Sequence, residues 1–224
     1  EFRRVLFRSD LLPFIKCQLL VATPEFLKLA NVANAEEVIE VNDSELAQAS
    51  FLQNPQQVLA VFYQSENVTD IKIDDELVLA LDGIQDPGNM GTIIRLADWY
   101  GIHHIFCSQD TVDVYNPKVV QATMGALARV NIHYTDLSDF LTRNKHLPVY
   151  GTFLDGENMY EKKITSHGII VMGNEGNGIR PEIDRLITEK LYIPNYPVGN
   201  PTSESFNVSI ATAIICAEFR RRNL

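Results

Sequence analysis

Hydrophobic positions in residues 77–219 form short continuous runs separated by helical patterns. Such apolar runs are typical of strands buried on both faces. Four predicted strands are residues 77–81, 103–108, 130–134 and 149–154. A fifth leads into Gly173, and a sixth ends at Ile193. The predicted helices are residues 92–100, 116–128 and 138–143, one that begins at Arg180-Pro181, and one that follows Asn207. Strands that alternate with helices predict an α/β fold with a mostly parallel sheet covered on both faces.

A strand, a turn and a helix follow one another in residues 77–101. Residues 85–91 carry Pro87-Gly88 at their centre, which predicts a turn. The helix that follows carries Arg95 one turn beyond Gly91, so its side chain leans back over the turn. A strand that ends in such a turn and opens a helix is where open α/β sheets bind ligands. These residues therefore predict a ligand site.

Two features that could suggest metal or cofactor chemistry have simpler explanations. Met124 shares a helical face with Val120 and Leu127, which predicts a core position. The pair His103-His104 lacks further ligands at metal-binding spacing, so it is interpreted as the start of a strand. No metal site is expected.

Residues 10–64 predict a small α/β domain ahead of the larger one. Strands are expected at residues 17–22, 37–41 and 58–63, with helices that begin after Thr23 and Asn42. Residues 65–76 are polar and strongly acidic, which favours a linker. The first nine residues are rich in arginine and differ in composition from the rest of the chain. They are interpreted as a vector-derived or truncated start and left outside the predicted fold.

Composition narrows the choice of environment and partner. The chain has 224 residues and a formal net charge of −10, which argues against unspecific binding to nucleic acid, so any RNA site must be a local basic patch. No apolar run is long enough to span a bilayer. The three cysteines are far apart, which favours free thiols in a reducing, cytoplasmic location.

Two further stretches carry candidate chemistry. Residues 173–178 hold three glycines in six positions, which lets a ligand approach the backbone closely. Glu175 is the one ionisable residue there, and it either accepts a hydrogen bond from a substrate or caps the loop. Ser205 and Asn207 stand at the start of the last helix, where they either cap it or line a polar site.

Together these stretches resemble the SpoU/TrmH-type RNA 2′-O-ribose methyltransferases of the SPOUT class. The first motif of that family is an Asn, a Gly two positions on and an Arg four further, here Asn89, Gly91 and Arg95. The second corresponds to residues 173–178, and the third to Ile193-Pro194 followed by residues 205–209. Their order and spacing cover residues 77–219, and three motifs in register are a far stronger signal than any one of them.

The resemblance implies a particular architecture. Residues 77–224 would form the methyltransferase domain, with S-adenosylmethionine bound in a C-terminal trefoil knot. Residues 10–64 would resemble a ribosomal-protein RNA-binding fold, with part of its start missing. The protein would be a homodimer whose interface uses the C-terminal helix and the helix that carries Arg95.

The resemblance also implies site residues. The catalytic set would be Arg95, Asn89, Glu175, Asn207 and Ser205. The cofactor-binding set would be Thr152, Gly173, Asn174, Gly178, Ile193 and Phe206. Arg95 would either act as a base or hold a phosphate and polarise the ribose hydroxyl. Two departures from the family pattern affect the cofactor rim, namely a longer loop at residues 195–204 and a Phe in place of the common Leu at position 206.

The implied substrate is RNA, with ribosomal RNA of the large subunit favoured over transfer RNA. Local basic residues would hold it: Arg129, Lys162, Lys163, Arg220, Arg221 and Arg222. A catalytically silent RNA-binding member and a base methyltransferase are alternatives. A dinucleotide-dependent dehydrogenase is disfavoured, because the glycines after the first strand, which include Gly88 and Gly91, do not have the spacing of the G-x-G-x-x-G fingerprint.

Overall fold

Each of the six strands predicted in residues 77–193 is present in one sheet. The computed structural model describes residues 3–5, 15–29, 32, 34–50, 56–63, 71–197, 200 and 205–222. The strands are β1 (Arg3–Val5), β2 (Cys17–Ala22), β3 (Ala35–Glu40), β4 (Val58–Phe62), β5 (Leu77–Asp82), β6 (His104–Cys107), β7 (Asn131–Tyr134), β8 (Val149–Asn158), β9 (Gly168–Gly173) and β10 (Glu189–Tyr192). The helices are α1 (Pro24–Leu29), α2 (Asp43–Ala49), α3 (Pro87–Trp99), α4 (Pro117–Thr123), α5 (Leu137–Arg143), α6 (Pro181–Asp184) and α7 (Val208–Arg221).

The larger sheet has the order β10-β8-β9-β5-β6-β7, and every neighbouring pair is parallel. This confirms the predicted α/β class. All positions of β5 are buried, as its continuous apolar run predicts. Because the strands are parallel, the loops that follow β5 and β9 emerge side by side at the carboxyl edge of the sheet.

Alternate residues of β5 supply two separate cores. Leu79 and Leu81 pack with the helices α3 and α7, in a cluster that includes Ile94 and Phe219. Val78 points the other way into a second cluster, which is completed by the following residues: Ala80, Ile169, Val171, Phe140, Leu141 and Ile183. The period of two follows from strand geometry, and it covers the sheet on both faces.

Helix α3 begins five residues earlier than predicted. Pro87 is its first residue and Asp86 is its N-cap, with the Asp86 carboxylate accepting a hydrogen bond from the Asn89 amide at 2.7 Å. Residues 85–91 are therefore not a turn, because an Asp cap followed by Pro at the first position opens a helix. The correction places Asn89 and Gly91 on the first turns of α3.

Helix α4 ends at Thr123, whereas the prediction continued it to residue 128. Met124 and Gly125 both adopt left-handed backbone conformations, with φ of 53° and 92°, before a 3-10 turn at Ala126–Ala128. Two such residues in succession stop an α-helix. Met124 is 42% exposed, so the prediction of a core position was wrong.

The smaller sheet has the order β1-β4-β2-β3. Its predicted strands are present with boundaries shifted by up to two residues. Strand β1 pairs antiparallel with β4, so leaving the first nine residues entirely outside the fold was wrong. Within the predicted linker, the described residues 71–76 include Ile73, which is buried against the larger sheet, and residues 65–70 lie outside the described part.

Three arginines at the end of α7 fix this helix against its surroundings. Arg220 donates to the carbonyls of Tyr100 and Gly101, just past the end of α3, at 2.6 and 3.0 Å. Arg221 and Arg222 bind the buried Glu218 carboxylate at 2.8 and 2.6 Å and hold the pKa of Glu218 at about 2. Arg222 also donates to the carbonyls of residues 159, 160 and 162.

Two histidines are stacked within an aromatic row on β6 and β7. Phe106 stacks on His133 with ring centroids 4.9 Å apart, and His104 Nδ1 lies 3.0 Å from His133 Nε2. Burial lowers the pKa of His133 to about 4, with a further contribution from His104. Burial also lowers the pKa of His104, although Glu76 opposes this shift.

Other expectations concern metals, thiols and membranes. Cys17, Cys107 and Cys216 are free and buried. No group of three or more His, Cys, Asp or Glu side chains in the described ranges could hold a metal ion. None of the helices built from those residues combines the length and apolar character that crossing a bilayer requires.

We predict that Gly91→Ala destabilises the protein. A Cβ at this position would lie 2.3 Å from the Cβ of Ala122, so α3 and α4 would have to move apart. Overpacking of this kind costs about 1–3 kcal/mol, more than the helix propensity gained. Urea denaturation gives the free energy of unfolding. Gly176→Ala is the control, because its nearest neighbour would be a side-chain atom at 3.5 Å; equal stability of both variants would contradict the prediction.

We predict that stability falls as the pH is lowered from about 6.5 towards 4. The folded state keeps His133 neutral, with a pKa near 4, whereas an unfolded His takes up a proton near 6.5. The unfolded state therefore binds more protons in this window. The contribution of His133 to the free energy of unfolding is complete above the window and is lost below it. Urea denaturation at several pH values should show a shallower slope for His133→Gln. An unchanged slope would exclude His133 as the cause.

Candidate active site

Polar side chains converge where the loops after β5 and β9 meet the first turns of α3 and α7. The α3 helix supplies Asn89, the loop after β9 supplies Glu175, and Asn207 precedes α7. The two helices run in the same direction, because Asn207 contacts Asn89 at one end and Arg220 contacts Tyr100 at the other. Both amino termini therefore face the same site.

Three of the predicted catalytic residues form one chain of hydrogen bonds. The Asn207 amide donates to Asn89 Oδ1 at 2.9 Å, and the Asn89 amide donates to Glu175 Oε1 at 2.7 Å. These residues lie 118 and 86 positions apart in sequence. The chain of donors runs from Asn207 through Asn89 and ends at the Glu175 carboxylate. The other oxygen of that carboxylate has no hydrogen-bond partner among the described residues. That oxygen is available to accept a hydrogen bond from a ligand.

Asn207, and not Ser205, caps α7. The Asn207 Oδ1 accepts hydrogen bonds from the Ser209 and Ile210 amides and from the Ser209 hydroxyl, the last at 2.6 Å. Ser205 is exposed and makes no hydrogen bond to any other described residue. The prediction missed Ser209, although a Ser two positions after an Asn cap is well placed to bind it. Ser209 fixes the rotamer of Asn207, so that its amide reaches Asn89.

The loop that carries Glu175 turns tightly. A Cβ at Gly173 would lie 2.4 Å from the Gly178 carbonyl carbon, so only glycine allows this approach. Asn174 exchanges two backbone hydrogen bonds with Gly178, and its side chain accepts from the amides of Gly176 and Asn177. Glu175 does not cap this loop, because Asn174 does so. Of the two interpretations of Glu175, the one that leaves it facing a substrate is favoured.

Arg95 is exposed on α3, about two turns beyond Asn89. It lies between Gly91, which packs on Ala122, and Asp98, which binds Arg129. Its guanidinium forms no hydrogen bond or ion pair with any residue in the described ranges. Its five N–H donors are therefore free to bind an anion such as a phosphate.

Comparison with known proteins identifies the family. The model of the SpoU rRNA Methylase family matches residues 76–217, which is more than half of the chain. This chain belongs to the SpoU rRNA methylase family. Two curated relatives are a 23S rRNA (guanosine(2553)-2′-O)-methyltransferase, RlmP, from Bacillus subtilis and a 23S rRNA (guanosine-2′-O-)-methyltransferase, RlmB, from Neisseria meningitidis. They are 30% and 32% identical over 75% and 71% of this chain. The matches span 66% and 64% of those relatives, which is less than two thirds of their length.

Solved structures of the SpoU family resemble the whole described fold. A protein assigned to the TrmH family of RNA methyltransferases, from Porphyromonas gingivalis, is 42% identical with a TM-score of 0.86, covering 99% of this chain and 90% of its own. An AdoMet-bound rRNA methyltransferase from Sinorhizobium meliloti is 31% identical with a TM-score of 0.86, covering 100% and 88%.

The predicted cofactor residues of this SpoU-family chain lie around the carboxyl ends of three adjacent strands. Strand β8 leaves its ladder with β10 between Gly151 and Glu157, so Thr152 lies where the sheet opens. Gly173 ends β9, and Gly178 has open space beside it. Ile193 follows β10, and Phe206 is 52% exposed next to Asn207.

The side chains around Gly151 at this edge of the sheet fit a nucleoside. Phe153, Ile179 and Ile187 meet at Gly151 and give an apolar surface, while Gly178 has open space beside it. An adenine ring needs such an apolar slot with a few backbone hydrogen bonds. Asn174 uses its side chain within the loop, donating to the Gly83 carbonyl at 2.7 Å, so its predicted contact with a cofactor would have to use another group.

Most of the basic residues predicted to hold RNA are engaged within the chain. Arg129 forms a bidentate pair with Asp98. Lys162 pairs with Glu157 and Glu189, and the arginines at residues 220–222 make the contacts described above. Lys163 alone of this set is exposed without a partner among the described residues. For Arg220 and Arg222 the structure supports a role in holding α7, not a role at an open RNA surface.

We predict that Asn207 and Ser205 differ in their effect on stability. Asn207→Ala removes the cap of α7 and should cost about 1 kcal/mol of unfolding free energy. Asn207→Ser keeps a capping oxygen and should recover most of that loss, although it cannot reach Asn89. Ser205→Ala should change stability by less than about 0.5 kcal/mol. Urea denaturation gives the free energy of unfolding of all three variants. If Ser205→Ala loses as much stability as Asn207→Ala, Asn207 is not the residue that caps α7.

Proposed function

We propose that this chain transfers a methyl group from S-adenosylmethionine to a ribose 2′-hydroxyl of RNA. The observation that supports this most strongly is the meeting of Asn89, Glu175 and Asn207 in one hydrogen-bonded chain. Asn89 lies on the same helix as Arg95, whose guanidinium has no partner among the described residues. The activities for which the two curated relatives are named and the cofactor in the Sinorhizobium structure add independent support.

Arg95 would hold and polarise the reacting group. A ribose hydroxyl is a weak nucleophile until it loses its proton. A neutral guanidinium is difficult to form, because Arg keeps its proton far above neutral pH. We therefore favour Arg95 binding the phosphate beside the target nucleotide and polarising the hydroxyl, and base action by Arg95 is the less favoured role.

Glu175 and the two asparagines would orient the ribose. The unpaired oxygen of Glu175 can accept a hydrogen bond from a hydroxyl of the substrate. When bound at the carboxyl ends of β8, β9 and β10, S-adenosylmethionine would supply a methyl group on a positively charged sulfur for transfer to the ribose oxygen. Alignment of the hydroxyl by fixed side chains can supply much of the rate enhancement.

The substrate we propose is 23S ribosomal RNA in preference to transfer RNA, because both curated relatives are named for it. We propose that residues 10–64 form an RNA-binding domain. Its contact with RNA would use a surface that does not include strand β3. Glu36, Glu37 and Glu40 on β3 would repel phosphates, and Lys16 is already paired with Glu36 at 2.6 Å.

We further propose the knotted C-terminal segment and the homodimer of the family. Exposed apolar side chains on the two proposed interface helices support the dimer, since Trp99 at the end of α3 is 83% exposed and Ile210 on α7 is 52% exposed. Exposed apolar surface marks a protein–protein interface where it is contiguous, and in the proposed dimer a second copy of the chain would cover these two side chains.

Methyl transfer from labelled S-adenosylmethionine to ribosomal RNA, followed by digestion to nucleosides, tests the reaction. Arg95→Ala should lower kcat by about 100-fold or more, because a charge-stabilising donor is lost, while cofactor affinity measured by calorimetry stays unchanged. Arg95→Lys should be intermediate, because Lys keeps the charge without the planar fork.

Arg143→Ala is the control, since Arg143 lies on α5 and donates only to the Asp139 carbonyl. Label in a 2′-O-methylnucleoside that is lost in Arg95→Ala supports the proposal. Label on a base, or binding of RNA without any transfer, would reject it in favour of a base methyltransferase or a silent binder.

A further inference from the structure

An ion pair between a buried carboxylate and a partly exposed arginine joins the end of β5 to the loop that carries Glu175. The Asp82 side chain is fully buried, and its carboxylate accepts from the Arg180 amide at 2.8 Å and from Arg180 Nε at 2.6 Å. Arg180 Nη2 lies 2.5 Å from the same carboxylate. Asp82 is the last residue of β5, and Arg180 is the N-cap of α6.

This pair is one of two anchors that flank Glu175. At the near end of the loop, the Asn174 side chain donates to the Gly83 carbonyl at 2.7 Å. At the far end, Arg180 binds Asp82, the residue that precedes Gly83. The loop is thus attached at both ends to two consecutive residues, the last residue of the central strand and the one that follows it. Glu175 lies between these two anchors, and its carboxylate meets Asn89.

Arg180 also connects the neighbouring strand. Its Nη2 lies 3.5 Å from Asp110 Oδ1, in the loop after β6. Asp110 is itself held, since a hydrogen bond from Ser108 lowers its pKa and Arg180 adds to that shift. Since the strands β5, β6 and β9 are adjacent in the sheet, Arg180 ties the loops of all three together.

We infer that Asp82 and Arg180 are positioning residues for Glu175: their ion pair holds the loop at the height from which Glu175 accepts the Asn89 hydrogen bond. The inference rests on the proposed function, because the consequence is measured on methyl transfer. Neither residue needs to touch substrate or cofactor. A buried carboxylate that has lost its partner is strongly unfavourable, so the pair has little freedom to open.

A double-mutant cycle tests whether Arg180 acts through Glu175. The four proteins are the wild type, Glu175→Gln, Arg180→Met and the double variant, with kcat measured for methyl transfer to ribosomal RNA. Each single change should lower kcat by about 10- to 100-fold, since a displacement of about 1 Å at a reacting group has effects of this size. The double variant should be no more than about 3-fold slower than Glu175→Gln, because the position of a residue that has already lost its function no longer matters.

If the two losses multiply in the double variant, Arg180 acts independently of Glu175 and the inference is wrong. If the wild type itself transfers no methyl group, the proposed function fails, which is a different result. Arg185→Met is the matched control, because it removes the same charge five residues further on, at an exposed position after α6. It should keep kcat within about 2-fold of the wild type.

Arg180→Met leaves the Asp82 carboxylate buried without a partner and could unfold the protein. Asp82→Asn is the second variant, because it keeps the shape of the side chain and one acceptor while it removes the charge. The same cycle with Glu175→Gln applies. Amide hydrogen exchange gives a readout independent of turnover: both variants should speed exchange at residues 175–180 and leave β5 and β9 protected. Unchanged exchange in this loop would overturn the inference.

Discussion

The parallel alignment of α3 and α7 on one face of the sheet is the constraint on which the candidate site depends. At one end, Arg220 binds the carbonyls that follow α3, and at the other, Asn207 binds Asn89. The buried residues of both helices share one hydrophobic cluster with β5, so neither helix can slide without exposing apolar surface. Asn89 and Asn207 are consequently held in contact although 118 positions separate them in sequence.

The same arrangement sets the electrostatics of the site. The amino termini of two helices carry partial positive charge, and both lie beside the Glu175 carboxylate. The chain as a whole has a formal net charge of −10, and Arg129, Arg221 and Arg222 are each paired with a carboxylate of the chain. An anionic ligand would therefore be attracted by this local field and not by the protein surface in general.

The sequence predicted the larger sheet well because its strands are buried on both faces, and continuous apolar runs such as residues 77–81 are a strong local signal. It failed where backbone geometry depends on a cap or a left-handed residue. Asp86-Pro87 opens α3 where a turn was expected, and Met124-Gly125 closes α4 early. The order of the motifs was enough to name Asn89, Glu175 and Asn207 as site residues. It could not predict which of them donates a hydrogen bond to which, because that depends on three-dimensional contacts. Ser209 lies within the third motif but was not named as a site residue, Asp82 and Arg180 belong to no motif, and only the coordinates reveal what these three residues bind.

The side chains of the hydrogen-bond chain are exposed to solvent, so each of them needs further contacts to keep its orientation. Side-chain amides in water exchange partners readily, since a typical hydrogen bond contributes only about 1 kcal/mol net. Asn207 keeps its orientation because Ser209 and two backbone amides occupy its oxygen, which leaves its NH2 group to face Asn89. Asn89 is fixed on α3 by the Asp86 cap, and Glu175 is held by the anchors on either side of its loop. Each member of the chain is therefore oriented by contacts outside the chain, so the site can stay ordered while it remains open to the proposed RNA substrate.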